Sequence, residues 1–148
     1  MTDVALVKGG NAVLPAYAFT AAHVDAVLEW RNSAGPEGVD LSAILVTSSG
    51  QVRSDADLVF FNQSSSADGS VGHLGKQSAG GRTRDAVRVW LPSVSGDVTS
   101  VFIAASIDGD GTFSDVDDLR LMLLDAAGQL LVALRPRPSH HGTRHLGR

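Results

Sequence analysis

The chain contains no cysteine, which excludes disulfides, thiolate metal sites and cysteine nucleophiles at once. It also lacks any uninterrupted apolar run long enough to span a membrane. Its first residues, Met1-Thr2-Asp3-Val4, show no basic region followed by an apolar stretch, so no signal peptide is expected. Basic residues are scarce except at the end. Four arginines (Arg135, Arg137, Arg144, Arg148) lie from position 135 onward, leaving residues 1–134 with 8 basic against 16 acidic side chains, a balance of −8. A body that acidic, without a basic stripe, speaks against nucleic acid as the main partner and is compatible with divalent cations. Catalytic signatures are missing too. No Gly-x-Ser-x-Gly elbow follows a strand, and Lys8-Gly9-Gly10-Asn11 is too short and in the wrong order for a phosphate loop. His73 falls in a turn near Asp68, and a lone turn histidine is more often a hydrogen-bonding group than a base. No enzymatic activity is expected.

What remains is a chain of 148 residues, 43% hydrophobic, with a net charge of −4. That length suits one domain with a core that needs no staple, and the composition suits a cytoplasmic protein. Short β-type runs recur about every dozen residues. Val24, Ala26, Leu28 and Trp30 alternate with His23, Asp25 and Glu29, the period of a half-buried strand. Further strands are expected at Val39–Thr47, Leu58–Phe61, Ala86–Leu91, Val98–Ile107, Leu119–Leu124 and Gln129–Leu134. The last two flank Asp125-Ala126-Ala127-Gly128, a hairpin turn ending in glycine. Turn-rich stretches fill Asn32–Gly38, Ser64–Gly72 and Gly75–Arg84. This punctuation predicts an all-β, antiparallel β-sandwich over residues 1–134. The segment 135–148, with its Arg-Pro-Arg-Pro start, is expected to be a disordered tail. Its histidines (His140, His141, His145) are read as solvated groups in preference to metal ligands.

The most informative stretch is Ser54-Asp55-Ala56-Asp57-Leu58-Val59-Phe60-Phe61-Asn62, followed by Asp68-Gly69-Ser70-Val71. Oxygen-bearing side chains bracket a short apolar strand, an arrangement suited to a hard cation such as Ca2+, which takes six to eight oxygen ligands. No single loop supplies that many, so several loops would have to converge. A second acidic stretch, Ser106 to Asp117, partly fits a calcium loop, with Asp108 and Asp110 at ligand spacing. Ser106 at its first position, Asp117 at its last and the strand-like Val98–Ala105 before it favour a plain acidic turn.

In order and spacing these motifs resemble the TerD family of tellurium-resistance and stress proteins. The resemblance runs through Lys8–Asn11, a strand ending at Trp30, Gly38-Val39-Asp40-Leu41-Ser42-Ala43, Ser54–Asn62 at every position, and Asp68 to Gly75, covering roughly residues 5–134. It implies a β-sandwich that binds Ca2+ through its loops and acts as a scaffold or binding protein without catalysis of its own. Carried over by matched position, the ligands are Asp40, Asp57, Asn62, Asp68 and Asp85, with backbone carbonyls of Gly69 to Gly75. The departures are just as specific. Gly38 replaces an aspartate, Lys76 follows Gly75 where the family has aspartate, and Gly81-Arg82-Thr83-Arg84-Asp85 replaces a strongly acidic run. Each swap removes an anion or adds a cation, so Ca2+ binding is expected to be weaker, or one site lost. The strands that family members carry beyond this point do not follow in this sequence; if they normally complete the sandwich, open sheet edges are expected here. The alternative function is therefore a metal-independent module that pairs with other proteins, TerD-like paralogues or its own copies, through an open sheet edge.

Overall fold

A computed structural model describes residues 2–6, 22–32, 39–107 and 116–136. Nine strands fill them: β1 (Thr2–Leu6), β2 (Val24–Arg31), β3 (Val39–Thr47), β4 (Leu58–Val59), β5 (Val71–Ala79), β6 (Arg82–Val89), β7 (Val98–Ile107), β8 (Arg120–Leu124) and β9 (Leu130–Pro136). Among the described residues, two single-turn 3-10 helices, Asp55–Asp57 and Leu91–Ser93, accompany the strands. Among the described residues no helix is long and apolar enough to cross a membrane.

Period-2 patterning sorts the strands into two layers. β1-β9-β8-β2-β6-β5 form one sheet and β4-β3-β7 the other. In β3 the residues Val39, Leu41, Ala43 and Leu45 are fully buried while Asp40, Ser42 and Ile44 alternate toward solvent. They meet Leu28 and Trp30 of β2 and Val87 and Val89 of β6, and this apolar layer is the core of an all-β sandwich. All pairings are antiparallel except one: β1 runs parallel to β9, with Thr2 opposite Val132 and Leu6 opposite Pro136. That pairing carries β9 past residue 134.

The largest departure from the expected elements lies at 71–84. Gly75 to Arg84 reads as turn, yet β5 and β6 form one long hairpin. Its two-residue turn is Gly80-Gly81, both at positive φ (62° and 80°), the backbone that matches strand twist in a tight hairpin. Residues 76–80 of this hairpin are exposed, so no apolar alternation marks them. The bulge between His73 and Gly75, with Gly75 at φ 90°, bends β5 where it leaves the core. The expected strand Leu58–Phe61 is shorter than its apolar run. β4 ends at Val59, and Phe60 pairs locally with Gln63 in a turn. Lys8–Asn11, Asp108, Asp110 and the histidines at 140, 141 and 145 lie outside the described residues.

Candidate functional site

Three loops converge on Arg53. The residue sits just ahead of the 3-10 turn Asp55–Asp57, which Ser54 caps by accepting a bond from the Ala56 amide (3.2 Å). That cap turns Asp57 inward until it is fully buried, and the Arg53 guanidinium meets it bidentately, Nε at 2.6 Å and Nη2 at 3.1 Å. The same guanidinium reaches Asp97 (Nη1, 3.0 Å) and stands 3.6 Å from Asp68. Its bond with Asp57 raises the Arg53 pKa well above the ordinary arginine range, outweighing partial desolvation.

Asp68 organises the neighbouring turn. One carboxylate oxygen accepts from the Ser66 hydroxyl (2.8 Å), the Ser70 amide (2.9 Å) and the Ser70 hydroxyl (2.6 Å). The other accepts from the amide and hydroxyl of Ser95, at 3.1 and 2.9 Å. Burial alone would raise its pKa, but bonds from Ser70, Ser66 and Ser95 more than offset that and hold the carboxyl far below its usual range. This carboxylate ties the 66–70 turn to the loop after the second 3-10 helix.

A second group lies where β5 and β6 cross the end of β3. Asp85 is fully buried. One of its oxygens accepts from the Leu41 amide (2.9 Å), and the other lies 2.7 Å from His73 Nε2 and 3.1 Å from the Ala86 amide. β4 covers only Ala43 and Ile44 of its neighbour, so the Asp85 carboxylate supplies the acceptor that β4 does not, and it links the two sheets. His73 is therefore on β5 against Asp85, not in a turn beside Asp68. Nearby, Lys76 Nζ pairs with Asp40 at 2.8 Å and stands 6.0 Å from the Trp30 ring centroid.

The five residues expected as calcium ligands thus fall apart. Asp57 and Asp68 share Arg53, Asp40 and Asp85 belong to the β3–β5–β6 group, and Asn62 is exposed in the Phe60–Gln63 turn. Among the described residues no three or more acidic or histidine side chains are placed to hold a metal ion. Asp57 and Asp40 each face a cation from this chain, Asp68 is saturated by its donors, and three groups of the chain already meet Asp85. As arranged, this donor set does not fit Ca2+, which needs unshared oxygens.

The TerD domain model matches residues 1–135. This chain belongs to the TerD family. A tellurium resistance protein TerD from an Alcaligenes species is 38% identical over 110 residues, and one from Serratia marcescens is 35% identical over 110 residues. Each match covers 71% of this chain and 57% of the relative, so the chain spans little more than half the length of the curated relatives it matches. Neither the TerD family nor these relatives are named for an enzymatic activity.

A feature spread too thinly for sequence reading lies on the outer face of the six-stranded sheet. Glu29, only 6% exposed, is met by Arg84 (2.7 Å), Arg120 (3.1 Å) and Arg82 (3.2 Å). Burial raises its pKa, and the bonds from Arg84 and Arg120 with the field of Arg82 more than reverse that. Beside it Asp118 meets Arg82 (2.9 Å), Arg135 (3.3 Å) and Arg31 (3.8 Å). The bond from Arg82 leads in lowering the Asp118 pKa. Cross-strand register is the signal that gathers these residues: Arg31 opposes Arg82, and Glu29 opposes both Arg84 and Arg120.

Proposed function

We propose that this chain is a non-catalytic, strand-pairing module that serves the tellurium resistance for which its relatives are named, acting in the cytoplasm within a stress response. The observation that carries this reading is β7. It is the outer strand of β4-β3-β7, and its free edge has no strand partner among the described residues. Its ten residues, Val-Thr-Ser-Val-Phe-Ile-Ala-Ala-Ser-Ile, include no charge, proline or glycine. Sheet edges are normally guarded by shortness, bulges or lysine. β4 is only two residues long, and β5 carries both a bulge and Lys76. β7 is ten residues long and has no lysine, and its register irregularity, opposite Val46 and Thr47, lies at its first residues, away from Phe102.

The face beside that edge is apolar as well. Leu58, Ile44 and Phe102 form one cross-strand row over β4, β3 and β7, with Leu58 and Phe102 exposed. The partner that suits such an edge is the equivalent strand of a second TerD-type chain, its own copy in the simplest case. Antiparallel pairing about Phe102 keeps inward residues inward and sets the two Phe102 rings opposite each other, a favourable cross-strand pair.

The test is sedimentation of the wild type and of Phe102→Lys over a range of concentrations, beside tellurite tolerance of cells expressing each. Phe102 is 58% exposed, so the lysine variant is expected to fold with stability changed by no more than about 0.5 kcal/mol, yet to lose both association and tolerance. Undiminished tolerance in a monomeric variant would overturn the reading. Calcium held by Asp40, Asp57, Asn62, Asp68 and Asp85 is the rival reading. It is favoured by the family resemblance and opposed by the bonds that already occupy those carboxylates.

A further inference from the structure

We propose that the arginine-rich end of the outer face of the six-stranded sheet is an oxyanion-binding surface. Five guanidinium groups, Arg31, Arg82, Arg84, Arg120 and Arg135, surround two carboxylates, Glu29 and Asp118. The described residues there carry an excess of three positive charges. Counting exposed Asp117, whose carbonyl accepts the Arg31 amide (2.9 Å), the excess is still two. The gathering is pronounced in a body whose first 134 residues hold only 8 basic side chains.

Donor supply points the same way. Each guanidinium offers five N–H groups, and a carboxylate has about four lone-pair sites, so five arginines carry far more donors than Glu29 and Asp118 accept. The buried Nε atom of Arg120 has no hydrogen-bond partner, whereas that of Arg82 lies 3.2 Å from a Glu29 oxygen. Glu29 is covered by its arginines, whereas Arg31 and Arg135 are 60% and 40% exposed and reach outward around Asp118. Planar guanidinium forks suit the paired oxygens of a small oxyanion. Asp118 adopts φ 53°, an uncommon backbone for a residue other than glycine, and it aims its carboxylate between three of the arginines.

Two sources share this chemistry, tellurite and phosphate. The tellurite arm rests on the proposed role in tellurium resistance; the phosphate arm does not, and neither depends on pairing along β7. The experiment is calorimetric titration of sodium tellurite and of sodium phosphate into the full chain in chloride buffer at fixed ionic strength. It is repeated with the double variant Arg31→Gln/Arg135→Gln, which leaves the Arg82, Arg84 and Arg120 contacts to Glu29 intact. With no cysteine present, the chain offers no thiol to reduce tellurite during the titration. The expected result is saturable binding of at least one oxyanion, weakened about tenfold or more in the variant and falling as salt rises. The tighter of the two identifies the source. Heats no greater than a chloride control, or equal affinity in the variant, would overturn the proposal.

Discussion

Replacing Asp85 separates a carboxylate that holds two sheets together from one that waits for a metal. Asp85→Ala removes the acceptor of the Leu41 amide and the partner of His73 Nε2, both in the buried junction of β3, β5 and β6. Leu41 is 1% exposed and the His73 side chain 7%, so water cannot readily replace what is lost. A buried polar group left without a partner costs about 1–3 kcal/mol. Two of them, with the small void left by the carboxylate, predict a loss of about 4 kcal/mol, a large share of the stability of an ordinary domain. Asp85→Asn keeps an oxygen for Leu41 and turns its amide toward His73, but sets that amide against the Ala86 N–H that donates to Asp85 now. Its expected loss is about 2 kcal/mol. The assay is urea unfolding with chelator present throughout, backed by hydrogen exchange at the Leu41 amide, which should lose its protection in the alanine variant. An alanine variant within about 1 kcal/mol of wild type, with Leu41 still protected, would refute the reasoning.

Lys76→Ala removes the cation facing Asp40. The pair is partly exposed, so the stability loss should stay below about 1 kcal/mol, while the freed carboxylate beside Asp85 gives the variant a rise in melting temperature in millimolar Ca2+ that wild type does not show. Differential scanning fluorimetry with and without chelator checks this, and a variant as indifferent to Ca2+ as wild type would count against Lys76 as a built-in cation. Acid should unfold the protein through groups whose native pKa is depressed. Asp68 and Asp118 start from an ordinary value of 3.8 and Glu29 from 4.5. All three are held lower in the fold, so their stabilisation is full above about pH 5. It is lost as pH falls below those ordinary values toward the depressed native ones. A pH series of unfolding midpoints should be flat near neutrality and fall below pH 5, and Asp68→Asn should shallow that fall.

The fold was largely legible because most strands lie across the core. β3 and β7 begin and end where alternation and β-branched residues place them, and β2 extends one residue beyond its reading. β5 was hidden for a physical reason: beyond Gly75 the hairpin leaves the core, and exposed Lys76, Gln77 and Ser78 carry no burial pattern. β1 was unreadable because its partner, β9, lies more than a hundred residues away and nothing local announces the pairing. At the candidate site, the loop acids could be picked out but not what they bind. Arg53 is four residues from Asp57, yet only the 3-10 turn brings them together, and Asp68 reads equally well as a ligand or as the acceptor for Ser66, Ser70 and Ser95. The arginine face was beyond reach, since positions 31, 82, 84, 120 and 135 become neighbours only through sheet register.

The measurement that bears most directly on the central claim, that this TerD domain holds its acidic loops with its own cations and donors, is calorimetric titration of Ca2+ into chelator-stripped wild-type protein, with Asp68→Ala alongside. The account predicts no saturable heat from the folded wild type. Micromolar binding that vanishes in Asp68→Ala would contradict it and restore calcium to the loops.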